Sequence, residues 1–138
     1  GQYSSSVRSA LEWLIKQQQS NGDLAGKATR YDRMYCHAIA TFALAEAYGM
    51  QSDPAVFPEL RDSVRSAVRY IAGMQNTDGG WRYGRGDESD MSMFGWQLMA
   101  LKSAVNAGIT IPEETRRGMT KFLQARAMGT RGGLAGYK

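Results

Sequence analysis

Tyr70-Ile71-Ala72-Gly73-Met74-Gln75-Asn76-Thr77-Asp78-Gly79-Gly80-Trp81 is the stretch that organises the chain. An aromatic-aliphatic pair closes a helical pattern, Gln75 follows, and Gly79-Gly80 supplies the positive φ that ends a helix. Displacing the sequence by 57 residues lays Trp13-Leu14 on Tyr70-Ile71, Gln18 on Gln75 and Gly22 on Gly79. The same shift lays Met34 on Met91, Ala43-Leu44 on Ala100-Leu101 and Ala47 on Ala104. Pro58 and Pro112 stand 54 apart, and Phe122-Leu123 begins a third copy. A period of this size indicates stacked helical hairpins in a solenoid or closed ring.

Working outward, three segments carry an apolar stripe at helical spacing: residues 5–19 with Val7, Leu11, Leu14 and Gln18; a segment opened by Pro58-Glu59 with Leu60, Val64, Val68 and Ile71; and one opened by Pro112-Glu113 with Thr115, Met119, Phe122 and Leu123. Proline at a helix start and an acid in the first turn suit both later segments. Between them, residues 32–48 and 90–107 are apolar nearly all round, the pattern of helices buried on several sides. The chain therefore reads as all-α, alternating outer and inner helices. Repeat 1 spans about 5–50, repeat 2 about 58–108 and a partial repeat 3 about 112–138, all in one domain. Two and a half units leave an apolar edge, so the chain is expected to be a fragment or to self-associate.

Composition agrees with close helix packing. Leu, Ile, Val and Phe total 23 of 138 residues, a thin aliphatic content, but 17 Ala and 8 Met permit close approach and fill irregular gaps. The one cysteine, Cys36, excludes an intrachain disulfide, and no apolar run approaches the ~20 residues of a membrane span. Residues 1–6 lack the charged and apolar regions of a signal peptide, which leaves localisation undecided. The net charge of +4 is dispersed over outer faces among acids, so no nucleic-acid partner is expected. The glycine-rich 129–136 stretch lacks the Gly-Lys-Ser/Thr of a phosphate loop, and no cofactor is expected.

The 70–81 stretch resembles the QW motif of the terpenoid cyclase and protein prenyltransferase superfamily: aromatic, aliphatic, three residues, Gln, a spacer and Gly-x-Trp. The copy at residues 13–24 is similar, with Leu24 for the Trp; in the third, Ala127 stands where Gln is expected. MYCHAIATFALAEAYGM and GWQLMALKSA resemble squalene-cyclase-like bacterial repeat proteins. The resemblance implies an α/α toroid, α6/α6-barrel-like, with inner helices around an apolar cavity that binds or cyclises an isoprenoid-type ligand. It also implies structural roles for Gln75, Gly79 and Trp81, with Gln75 bonding backbone of a neighbour and Trp81 covering the joint.

Class II cyclases of this superfamily protonate their substrate with an Asp in a D-x-D-D motif. The matching stretch is Glu88-Ser89-Asp90-Met91, which makes Asp90 the candidate proton donor and Glu88 its candidate partner, with Met91 replacing the last Asp. The same residues equally suit an N-cap and a dipole-facing acid. Tyr35, His37, Phe94 and Trp96 are the candidate ligand-binding side chains, through π faces and one polar group. Cys36 and His37 correspond in type to prenyltransferase zinc ligands, but neighbours on a helix diverge by about 100° and no Asp-x-Cys precedes them, so no metal site is expected. Against an enzyme stands a non-catalytic repeat domain that binds a protein or peptide; that reading expects Asp90 to serve as a cap.

Overall fold

In the computed structural model, which describes residues 1–130 and 132–137, the chain runs α1 (Ser4–Gln17), α2 (Arg30–Gly49), a 3-10 turn (Pro54–Val56), α3 (Glu59–Gly73), α4 (Met91–Asn106) and α5 (Glu113–Arg126). Two short antiparallel strands follow, β1 (Ala127–Met128) and β2 (Leu134–Ala135), paired Ala127 to Ala135 and Met128 to Leu134. The described part is thus predominantly helical, and among its residues no helix is long and apolar enough to cross a membrane. Of the expected third copy, Arg131 and Lys138 lie outside the described residues.

The helices start and stop where local chemistry directs. Pro58 precedes α3, whose first turn carries Glu59 and Asp62, and Pro112 precedes α5, which opens on Glu113 and Glu114, so negative charge meets the positive helix end in both. Asp90 caps α4, its side chain accepting from the Met93 N–H at 2.8 Å.

Packing follows the alternation. α2 and α4 lie side by side with the most extensive contact in the molecule, and α3 packs across both. The junction is close because small residues line it: Ala38, Ala45, Ala67, Ala100 and Ala104 are all fully buried. Phe94, Trp81 and Phe122 fill the space beneath α5, with the Phe94 and Phe122 rings stacked at 4.8 Å between centroids. α1 is an outer, surface helix, as its amphipathic pattern predicts. It buries no residue, Val7 is 53 % exposed, and Leu11, Leu14 and Ile15 are only partly covered. Arg8 holds it from outside, donating to Glu12 Oε1 and the Val56 carbonyl and lying 4.9 Å from the Phe57 ring centre.

Candidate functional site

The glutamines at Gln18 and Gln75 make matching bonds. Gln75 Nε2 donates to the Gly79 carbonyl at 2.9 Å and to the Thr115 carbonyl in α5 at 3.1 Å. Gln18 Nε2 donates to the Gly22 carbonyl at 3.1 Å and to the Ser63 carbonyl in α3 at 3.0 Å. Each glutamine thus ties its own loop to the next outer helix in chain order, adding a second hydrogen bond to a carbonyl near that helix's start. The loops dock tightly. A Cβ at Gly79 would stand 2.5 Å from the Gly118 carbonyl carbon, and one at Gly22 would stand 2.7 Å from that of Ser66. Both glycines have φ in the left-handed range, +91° and +95°. Trp81 is fully buried and its Nε1 donates to the Ile71 carbonyl at 2.8 Å, closing the last turn of α3. Sequence reasoning had no signal for Gly118, whose missing side chain leaves the space that the Gln75 amide occupies.

Asp90 is fully buried. Oδ1 receives the Met93 N–H, while Oδ2 pairs with the Arg82 guanidinium and receives the Tyr137 hydroxyl at 2.9 Å. The Tyr137 carbonyl also receives the Met91 N–H at 2.9 Å, so the segment after β2 lies across the start of α4. An oxygen set that accepts on every side is that of an ionised carboxylate. Arg82 and Tyr137 could not be found by spacing, since Tyr137 is 47 residues from Asp90. Glu88 is exposed. Its loop is pinned from within: Asn76 donates to the Asp87 carbonyl and to Ser89 Oγ and accepts from the Gly86 N–H, and Ser89 Oγ donates to Asp78 Oδ1.

Repeat 1 has an ion pair at the corresponding place. Asp23, buried in the loop before α2, pairs with Arg33 of α2 and accepts from the Ala25 N–H at 2.8 Å. Burial pushes the Asp23 carboxyl up, but the Ala25 N–H and the Arg33 charge outweigh it and hold the carboxyl below its ordinary value. The same burial, together with the Asp23 charge, raises the Tyr70 hydroxyl above its ordinary value.

The four candidate ligand-binding side chains divide between two faces. His37 and Phe94 occupy equivalent positions, each directed at the outer helix that follows its own: His37 meets the Ala67 carbonyl of α3, Phe94 stacks on Phe122 of α5, and both are buried. His37 Nδ1 accepts from the Leu24 N–H at 3.0 Å and Nε2 donates to the Ala67 carbonyl at 3.1 Å, so both ring nitrogens have partners within the chain. Tyr35 and Trp96 are half-buried on the opposite side. The Tyr35 hydroxyl meets Ser92 Oγ at 3.0 Å across the α2–α4 junction. Helical phase puts Ile39, Phe42 and Glu46 of α2 beside Tyr35, and Met99 and Ser103 of α4 beside Trp96. Ile39 and Met99 are each 46 % exposed, and Ser103 Oγ donates to Glu46 Oε1. Among the described residues no group of three or more His, Cys, Asp or Glu side chains is placed to hold a metal ion.

A repeated helical hairpin, bracketed by glutamine and glycine at equivalent points, is the structural class these features define. The chain is similar to a terpene synthase, the drimenyl diphosphate synthase of Streptantibioticus cattleyicolor, with 32% identity over 96 residues. That alignment covers 69% of this chain and 18% of the synthase, so the chain spans less than a fifth of that relative's length. No protein-family model and no solved structure matches the chain.

Proposed function

We propose that this chain is a section of a terpenoid-cyclase-like α/α toroid, with α1, α3 and α5 outside and α2 and α4 inside, and that the face formed by Tyr35, Ile39, Phe42, Trp96 and Met99 binds the apolar chain of an isoprenoid-type ligand. The observation that carries this reading is that face itself. Two helices otherwise buried keep large apolar side chains open on the side away from α3, with Ile39 and Met99 nearly half exposed. Apolar surface presented by interior helices is stabilised when something covers it, by roughly 25 cal/mol per Å² removed from water. Similarity to a drimenyl diphosphate synthase supports an isoprenoid as that cover.

In this proposal the chain binds without protonating. A proton donor to an alkene must hold a proton it can release, whereas Asp90 accepts from Met93, Arg82 and Tyr137. Asp90 is then a cap and an ion-pair partner, and Glu88 a loop acid. Titration with farnesol tests the reading in a Trp13→Phe background, where Trp96 is the half-buried tryptophan and Trp81 the fully buried one. The expected result is a saturable change in tryptophan emission, lost in Ile39→Asp and kept in Asp90→Asn. Emission indifferent to farnesol overturns the binding surface. A cyclised product from an isoprenoid substrate that disappears in Asp90→Asn overturns the non-catalytic assignment.

A further inference from the structure

The apolar face that α2 and α4 present away from α3 runs into a polar hollow at one end. The two helices are parallel: the Tyr35 hydroxyl meets Ser92 Oγ at 3.0 Å near their starts, and Ser103 Oγ donates to Glu46 Oε1 near their ends, each pair 57 residues apart. Beside the second contact lies an open hollow of about 310 Å³. Phe42 and Met99 carry the apolar face into it, and Glu46, Lys102, Ser103 and Asn106 supply its polar side.

The hollow is close to neutral, with a small excess on the negative side. Glu46 contributes an anion and Lys102 a cation. Both helices end here, at Gly49 and Asn106, and neither has a basic residue in its last turn to offset the partial negative charge of its free carbonyls. Glu46 Oε2, the Lys102 ammonium and the Asn106 side-chain amide have no partner among the described residues. A phosphate ester placed here meets Glu46 and two helix C-termini, with one lysine to balance it. An ammonium only donates, and it faces Lys102. A hydroxyl suits both sides, giving its proton to Glu46 while accepting from Lys102 or Asn106. The opposite end of the face offers a diphosphate nothing better. Arg30 is held by both carboxylate oxygens of Asp87 at 2.9 Å and Arg82 is held by Asp90, so the arginines at the helix starts are already paired.

Given the face of Tyr35, Phe42, Trp96 and Met99 as the isoprenoid surface, on which this assignment rests, we propose that the ligand ends in a single uncharged hydroxyl bound between Glu46 and Lys102. The site then takes prenyl alcohols in preference to prenyl diphosphates. The tail lies along Met99, Phe42 and Trp96 toward Tyr35, and the hydroxyl reaches the helix ends.

Three probes with one tail separate the possibilities. In the Trp13→Phe background, tryptophan emission titrated with farnesol, farnesyl methyl ether and farnesyl diphosphate should give affinities in that order, with farnesol ahead of each of the others by about tenfold or more. The ether keeps the oxygen and the tail but cannot donate to Glu46. Glu46→Gln changes an exposed position, so circular dichroism should show it folded. It should erase most of the preference for alcohol over ether and narrow the preference over the diphosphate. Equal affinity for farnesol and its methyl ether, or for farnesol and the diphosphate, overturns the hydroxyl assignment, as does a preference for the alcohol that survives intact in Glu46→Gln. If Ile39→Asp still abolishes binding in those cases, the apolar face stands without it. Emission indifferent to all three probes overturns the face, and the hydroxyl assignment falls with it.

Discussion

Replacing Gly79 with alanine tests whether the loop is fixed by its approach to α5 or only by its own turn. Gly79 and Gly86 have nearly the same backbone, with φ of +91° and +93°, but their surroundings are opposite. A Cβ at Gly86 meets nothing within 4 Å, whereas at Gly79 it lies 2.5 Å from the Gly118 carbonyl carbon and 3.0 Å from its Cα. Both substitutions carry the left-handed strain of an L-residue, about 1 kcal/mol. Only Gly79→Ala must also push the loop away from α5, by roughly 1.5 Å to bring the Gly118 carbonyl oxygen, the nearest atom, to an ordinary van der Waals contact. That shift stretches the 3.1 Å bond from Gln75 to Thr115 and loosens Gly80 against Phe122. One weakened half-buried hydrogen bond and the lost packing together amount to about 2 kcal/mol beyond the strain. Urea melts followed by circular dichroism should therefore place Gly79→Ala about 3 kcal/mol below wild type and Gly86→Ala about 1 kcal/mol below. At about 4 °C per kcal/mol for a chain of this size, the two melting temperatures should differ by about 8 °C. Equal destabilisation by the two substitutions would refute the docking argument and leave Gly79 as an ordinary turn glycine.

The remaining predictions follow the buried charges and the tryptophan. Asp90→Asn keeps an oxygen for the Met93 N–H but leaves Arg82 without its carboxylate, so it should cost about 2 kcal/mol, and Asp90→Ala about 1 kcal/mol more through the lost cap; thermal melts check this, and a neutral Asp90→Asn contradicts it. Asp23 is held below its ordinary 3.8. Its folded-state value lies below the unfolded one, so its stabilisation is present above pH ~4 and drains away as pH falls through the folded value. The difference in stability between wild type and Asp23→Asn should shrink over that window, and a difference independent of pH counts against the assignment. Trp81→Phe keeps a ring but removes the Nε1 bond to the Ile71 carbonyl, which retains the Met74 N–H, and should cost about 1 kcal/mol by chemical denaturation.

The hairpin period and the helix positions were legible because they rest on signals local in sequence: Pro58 and Pro112 ahead of acids, Gly22 and Gly79 after glutamines, and a 57-residue echo. The direction of each inner side chain was not. A helix that is apolar around its whole circumference has no strong moment, so Tyr35 and His37, two residues apart, look alike as lining candidates. Placement of α3 decides the matter by burying His37 and leaving Tyr35 on the other face. The α1 stripe was legible for the same local reason: Leu11 and Leu14 lie against the core, while no residue of this outer helix is fully buried. The strands β1 and β2 are two residues each, too short for periodicity to reveal.

The comparison between repeats bears most directly on Asp90. In repeat 2 the loop supplies a cation, Arg82, and the helix start supplies the acid; in repeat 1 the loop supplies the acid, Asp23, and the helix supplies Arg33. Arg33 and Asp90 are 57 residues apart and therefore occupy one position in the hairpin. Arginine cannot serve as a proton donor near neutral pH, yet it makes the same loop-to-helix tie there. What the position requires is a charge opposite to the one its loop carries. Asp90 meets that requirement, and its remaining oxygen serves the helix N-terminus.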